Sequence, residues 1–404
     1  MSTLYTILFL GWIMLSKSPS LGSIIVAMHA LTMGLFLPGY YFIGFYGGGY
    51  QIQSIYSFLI FDLLVFIQLI ITTILVRDVK VEKLAGFKFT LRSPFFNSYF
   101  IIGIAIIAMC FFTILMRFWG LEPYYLSIFS GSLLENEYIS RSDRTEGQGA
   151  FLFSFTFDYI IPALCLNSLA TSKNFIVKSL AMIILIASVL SMGTKFPIIV
   201  VLIWLIFKKL YDKEWTINWK FYLRGGFFLG IIFIFYLLVK MSFGDGQPYE
   251  NVGVALYSFI RRILAGSVIA GLVGIDYFGL DFFNGVENLK PLVWSLVYGR
   301  MGGSATLPIL VNIMISQGLI LGFLSFSALC VLIRYSYAYI LTLSHCNPQY
   351  RTMLLFPFFQ LMITFAFSGH YEFMLRLIGI LVFVMLLHFI GKLKFKRKRQ
   401  LEFK

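Results

Sequence analysis

The chain has 404 residues, of which 59% are hydrophobic and only 12% are charged, and its mean hydropathy is +0.86. These values exclude an ordinary soluble globular protein and are typical of a chain that crosses a membrane several times. The formal net charge of +14 does not indicate nucleic-acid binding, because the lysines and arginines stand in short runs between apolar segments, where they signal membrane topology.

Apolar segments long enough to cross a bilayer, allowing for short or tilted ones, recur along the whole chain. We expect spans at residues 3–16, 21–44, 54–76, 97–118, 149–171, 176–193, 195–208, 222–243, 318–341, 352–369 and 373–391. Residues 305–316 form a further span or a re-entrant helix. The predicted fold is therefore an all-α polytopic membrane protein, a single integral domain of residues 1–404 with about 11 to 12 transmembrane helices.

The charged connections predict the orientation. Basic residues crowd segments 77–92 and 208–224 and the tail 392–399, which all fall on one side if the spans are counted in order. The positive-inside rule makes that side cytoplasmic, so the basic C-terminus is cytoplasmic. Two larger loops, residues 119–149 and 240–308, then lie on the outer side.

No sequence motif for a metal or a nucleotide is present. The chain has no Walker A loop, no Rossmann glycine fingerprint and no H-E-x-x-H, and its four cysteines stand singly. We therefore expect neither a cofactor nor a metal.

The first outer loop carries Arg141 and Arg144, which share one face if they lie on a helical turn. Two guanidinium groups so placed can bind a phosphate or diphosphate with paired hydrogen bonds. The alternative is a solvated loop in which these arginines pair with Asp143 and Glu146.

The second outer loop contains an apolar stretch, residues 252–272, that includes Arg261 and Arg262. Such a helix can lie in the membrane interface and direct its arginines toward anionic groups, or the arginines simply extend to lipid headgroups. Arg300 follows Gly299 and precedes Gly302 and Gly303, a setting that suits close backbone approach to a ligand or an ordinary tight turn.

Two short outer turns place charges next to helices. Lys195 precedes a proline at a predicted helix start, where the helix dipole also favours anions. His370 and Glu372 occupy the other turn, and Arg376 follows Glu372 by one helical turn. Either a Glu372–Arg376 ion pair steadies the helix, or His370 or Glu372 acts as a general base on a substrate hydroxyl.

Asp62 and Asp158 lie inside predicted spans, where a carboxylate is costly. They are either interhelical hydrogen-bonding groups or the ends of a polar cavity, and the sequence leaves these two interpretations open.

The overall pattern resembles the Wzy-type polymerases of O-antigen and related polysaccharides. The resemblance lies in the number of spans, the two arginine-bearing outer loops, the basic tail and the local segments 258–266 and 193–197. Some members have in these loops an arginine and a glycine with ten residues between them, so that the glycine is eleven positions after the arginine. This chain departs from that pattern, because Gly149 and Gly274 are eight and twelve residues after Arg141 and Arg262.

The resemblance implies a glycosyltransferase-C-like fold in the bacterial inner membrane. The implied reaction is metal-independent: it joins undecaprenyl-pyrophosphate-linked repeat units on the periplasmic face and releases undecaprenyl pyrophosphate. A chain-length regulator of the pathway is an implied partner, besides membrane lipids. The alternatives are a flippase or other transporter of the same lipid-linked glycan, and a membrane transferase such as an O-antigen ligase.

The implied reaction needs cations for the departing pyrophosphate and a base for the attacking hydroxyl. Predicted bases are His370, Glu372 and Glu146, with Asp276 behind them. Predicted pyrophosphate- or glycan-binding residues are Arg141, Arg144, Lys195, Arg261, Arg262, Arg300 and Arg376.

Overall fold

A computed structural model of the chain describes residues 1–15, 21–30, 54–76, 97–126, 149–192, 196–212, 269–299, 307–365 and 370–393, with the single positions 253 and 305. Within these residues the regular structure is helical, without strands. The helices are α1 (Ser2–Leu15), α2 (Leu21–His29), α3 (Ile55–Val76), α4 (Ser98–Phe118), α5 (Ala150–Thr171), α6 (Phe175–Ser191), α7 (Phe196–Asp212), α8 (Ile269–Phe278), α9 (Leu289–Tyr298), α10 (Ile309–Gln317), α11 (Leu319–Cys346), α12 (Arg351–Phe365) and α13 (His370–Leu393).

Five of the described helices are long and apolar enough to cross a membrane: α3, α4, α5, α11 and most of α13. Their length follows from long runs of mainly aliphatic and aromatic residues, since about 20 apolar residues at 1.5 Å per residue span the hydrocarbon core. The all-helical membrane fold expected from the sequence is thereby confirmed at this coarse level. The predicted span at 222–243 lies outside the described residues.

The chain divides into two compact units. Unit 1 contains residues 1–79, 210–335 and 361–375, and unit 2 contains residues 80–209, 336–360 and 376–404. The sequence analysis treats the whole chain as a single integral domain, and this remains a prediction.

In unit 1, side-chain hydrogen bonds tie helix α3 to the rest of the unit at its C-terminal end and in its middle. At its C-terminal end the Arg334 Nη1 donates to the carbonyl oxygens of Ile74 at 3.2 Å and Leu75 at 2.6 Å. A cation there satisfies carbonyls that have no partner within the helix and complements the negative end of the helix dipole. In the middle, the Gln68 side-chain oxygen accepts from the backbone N–H of Leu310, at the start of α10, at 3.1 Å.

In unit 2, helix α5 packs against α4 and α6. In its most apolar window, 78% of α5 is buried, compared with 28% to 44% for the other four candidate spans. Protein therefore surrounds α5, whereas much of the surface of the other four helices is left for lipid. A polar side chain on α5 must find its partners inside the protein.

Candidate functional site

The predicted site residues fall into two groups. Asp276, Glu372 and Arg376 are described together with their side chains, and His370 is described only as the first residue of α13. The remaining predicted residues lie outside the described residues: Arg141, Arg144, Glu146, Lys195, Arg261, Arg262 and Arg300. Most of the predicted interfacial helix, residues 254–268, lies outside them as well.

Asp276 lies near the C-terminal end of α8 and contacts the start of α3. Its Oδ1 accepts hydrogen bonds from the Ser54 backbone N–H at 3.1 Å and the Ser57 hydroxyl at 2.6 Å. A carboxylate at this position satisfies a helix N-terminal donor and is favoured by the helix dipole. Asp276 therefore fixes α8 to α3, and its predicted part in supporting a catalytic base stays a prediction.

Glu372 has a cationic partner in unit 1. The Lys290 Nζ, in the first turn of α9, lies 3.8 Å from the Glu372 Oε2. The Lys290 side chain is 20% exposed and that of Glu372 is 58% exposed, so the pair forms at the surface of the protein chain. An exposed ion pair contributes little to stability. What the Lys290–Glu372 pair provides is a carboxylate and an ammonium group side by side.

Helix α5 contains a wide turn in unit 2. Residues Phe155–Ile160 are π-helical, and the Ile161 N–H bonds to the Thr156 carbonyl five residues back. Pro162 explains the turn, because proline has no N–H and its ring clashes with the carbonyl of a regular α-helix. The carbonyl of Phe157 thus lacks both possible helical donors, and the Ser188 hydroxyl from α6 bonds to it instead.

Asp158 lies in this π turn and is 6% exposed. Its Oδ2 accepts a hydrogen bond from the Ser154 hydroxyl at 3.0 Å. In the described part of the chain, no donor bonds to the other oxygen, Oδ1. A buried carboxylate oxygen without a donor is costly, so Asp158 is a candidate functional residue.

Arg376 of α13 provides the neighbouring cation. Its guanidinium carbon lies 5.7 Å from the centre of the Tyr159 ring, and the group interacts attractively with the Asp158 carboxylate. Gly379 lets the helices approach, since a Cβ there would lie 2.7 Å from the Phe155 ring. The ring of Phe155 in turn stacks on that of Tyr159, with centroids 5.7 Å apart. We call Ser154, Asp158, Tyr159 and Arg376 the α5 polar cluster.

Asp281 lies in the connection between α8 and α9 and makes a local turn. Its Oδ1 accepts from the backbone N–H groups of Phe283 at 2.8 Å and Asn284 at 2.9 Å. The N–H groups of Asn284 and Phe283 hold the pKa of Asp281 below its usual value. Since this carboxylate bonds to its own loop, it organises the connection and is a poor candidate for chemistry.

No group of three or more potential metal ligands of the His, Cys, Asp or Glu type comes together within the described ranges. The sequence expectation of a metal-independent site is a separate inference from the motifs, and it remains a prediction.

Sequence reasoning named Asp158 without assigning it a role, and it missed the partners that surround it. Pro162, four residues after an aspartate within an apolar span, is the signal that predicts a local break in the helix. The Lys290–Glu372 pair joins residues 82 positions apart, 372 minus 290, and no local pattern predicts it.

These observations define the class of protein: an α-helical, multi-spanning membrane protein that buries ionisable groups inside a membrane-spanning helix. The chain matches no model of a known protein family, no curated protein and no solved structure.

Proposed function

We propose that this protein is a membrane glycosyltransferase of the bacterial inner membrane that polymerises undecaprenyl-pyrophosphate-linked oligosaccharide repeat units. The growing glycan leaves its pyrophosphate carrier and joins the next lipid-linked unit on the periplasmic face. The basic C-terminal tail lies in the cytoplasm.

One observation carries the proposal: Arg376, within the apolar window of α13, lies over the ring of Tyr159 and interacts with the adjacent Asp158 of α5. An arginine within a membrane-spanning helix is expensive unless an anionic group uses it. Its planar guanidinium forms paired hydrogen bonds to phosphate oxygens, which suits a lipid-linked pyrophosphate. A carboxylate next to that cation adds the acid–base group that a hydroxyl nucleophile requires.

The Lys290–Glu372 pair, in unit 1, is a second place where a cation and a carboxylate lie close together. Glu372 is exposed enough for a sugar hydroxyl to reach it, and Lys290 supplies a cation for a phosphate oxygen. Glu372 therefore remains a candidate base, and Lys290 joins the candidate pyrophosphate-binding residues.

The test is a gene deletion complemented with variants, followed by gel analysis of the surface polysaccharide. We expect the deletion strain to carry single repeat units and the complemented strain to carry a ladder of long chains. Arg376→Ala should abolish the ladder, and Arg376→Lys should shorten it, because an ammonium cannot form the paired hydrogen bonds. Arg117→Ala is the matched control, since Arg117 is 62% exposed and pairs with Glu122 at 3.5 Å.

The same experiment separates the two rival functions. A ligase defect would leave polymerised chains that are not attached to the lipid A core. A flippase or other transporter defect would leave lipid-linked units on the cytoplasmic face. The transporter is the stronger rival because transporters also use ionisable groups within their membrane-spanning helices, as α5 and α13 do. A normal ladder in the deletion strain would reject the polymerase proposal.

A further inference from the structure

The carboxylates of the described residues differ in which of their oxygens accept hydrogen bonds. Ser2 donates to the Asp62 Oδ1 through its backbone N–H at 3.1 Å and also through its hydroxyl, and the Met1 nitrogen donates to Oδ2 at 2.9 Å. Asp276 and Asp281 accept the bonds described above. Asp158 is the buried carboxylate whose Oδ1 receives no hydrogen bond from the described residues.

The position of the Asp158 Oδ1 is energetically costly, and the side chain is held there by its neighbours. Burying a charged group without full hydrogen bonding costs roughly several kcal/mol, even beside an opposite charge. The Ser154 hydroxyl holds Oδ2, and the π turn fixes the backbone from which the side chain projects. π turns within α-helices occur frequently at functional sites. The arrangement therefore holds in place one buried carboxylate oxygen that receives no hydrogen bond from the described residues.

We propose that Asp158 is the proton acceptor for the attacking sugar hydroxyl, a role that rests on the function proposed above. The Asp158 Oδ1 takes the hydroxyl proton, directly or through one water molecule. The hydroxyl oxygen forms a bond to the anomeric carbon, and the bond from that carbon to the pyrophosphate oxygen breaks. The electron pair leaves with the pyrophosphate, and Asp158 later returns the proton to water.

Arg376 complements this step. Charge develops on the departing pyrophosphate as the proton moves to Asp158, and the guanidinium stabilises that charge. The Tyr159 ring, 5.7 Å from the guanidinium carbon, helps to hold the side chain in place. Asp158 and Arg376 thus have different roles: loss of Asp158 slows the chemistry and leaves binding intact, whereas loss of Arg376 slows the chemistry and also weakens binding of the pyrophosphate lipid.

The decisive variant is Asp158→Asn, which keeps the size of the side chain and an oxygen that accepts from Ser154. We expect turnover of lipid-linked repeat units to fall about 100-fold or more, the range for loss of a general base. Undecaprenyl pyrophosphate alone, added to purified protein in lipid nanodiscs, should bind Asp158→Asn as tightly as the parent and bind Arg376→Ala more weakly. Asp158→Glu should restore part of the turnover.

Asp62→Asn is the matched control, because it also removes a carboxylate from a membrane-spanning helix but one whose oxygens are bonded within the protein. It should leave long chains. Thermal unfolding of each purified variant measures folding, and Asp158→Glu serves as the test if Asp158→Asn does not accumulate.

Long chains from Asp158→Asn at parental protein levels would overturn this inference. So would a loss of undecaprenyl pyrophosphate binding by that variant equal to the loss in Arg376→Ala, because Asp158 would then act in binding. If Asp158→Asn does not accumulate, parental turnover by Asp158→Glu also overturns it, since lengthening the side chain displaces the base. A polysaccharide ladder that survives deletion of the gene rejects the proposed function itself, and is thereby distinguished from failure of the Asp158 role alone.

Discussion

The bond from Ser188 to the π turn gives the sharpest stability prediction. The carbonyl of Phe157 would accept from residue 161 in an α-helix or from residue 162 in a π-helix. The Ile161 N–H is used by Thr156, and Pro162 has no N–H. Ser188 is fully buried and supplies the missing donor. Ser188→Ala therefore removes a hydrogen bond between helices and leaves a buried carbonyl without a donor.

The size of the effect follows from these two losses. An unsatisfied buried acceptor costs about 1–3 kcal/mol in soluble proteins. Hydrogen bonds between helices in membranes average about 0.6 kcal/mol and reach about 1.7 kcal/mol. Since both losses occur together, we expect Ser188→Ala to lower the free energy of unfolding by about 1–2 kcal/mol.

The matched control is Ser191→Ala in the same helix. Ser191 is also buried, but its hydroxyl bonds to the Ala187 carbonyl, which belongs to its own helix. That carbonyl keeps its backbone hydrogen bond after the substitution, so we expect a change of about 0.5 kcal/mol or less. Reversible unfolding in mixed detergent micelles, followed by circular dichroism, compares the variants. Equal unfolding free energies for the two variants would refute the assignment of Ser188 as the donor that completes the π turn.

Two further predictions use the same unfolding measurement. A Cβ at Gly271 would lie 2.3 Å from the Phe61 ring, whereas nothing lies within 4 Å of one at Gly103. Gly271→Ala should therefore lower the free energy of unfolding by about 1–3 kcal/mol through overpacking. Gly103→Ala should raise it by about 0.5–1 kcal/mol. If Gly271→Ala were the more stable of the two variants, this packing would be contradicted. Asp276→Ala should cost about 1–2 kcal/mol, because the start of α3 loses its acceptor, and an unchanged unfolding free energy would exclude that role.

The helices were predictable from the sequence because hydrophobic run length determines them. The spans expected at 54–76 and 97–118 correspond to Ile55–Val76 and Ser98–Phe118 within one residue at each end. The span expected at 318–341 is the start of Leu319–Cys346, which continues for five more residues. Backbone hydrogen bonds continue a helix beyond its last apolar residues, so a prediction from apolar composition ends the helix too early.

The site was less predictable because its contacts join residues that are distant in the sequence. The loop arginines were inferred from local spacing, whereas the polar contacts of Asp276, Glu372 and Asp158 depend on which helices pack together. Ser57 and Asp276 are 219 residues apart, and no periodicity indicates that one caps the helix of the other. The exception is the π turn, for which Pro162 in an apolar span is a visible local cause.

The distribution of polar groups within unit 2 supports placing the chemistry on α5. A serine in a helix commonly bonds to a carbonyl of its own backbone, as the buried Ser191 does in α6. Helix α5 is buried and carries an aspartate, and it receives a hydroxyl from α6 at its π turn and a guanidinium from α13. The buried Asp158 carboxylate costs desolvation energy that an apolar side chain at this position would avoid. Since stability does not account for that carboxylate, we infer that it is retained for a reaction or a ligand at Asp158.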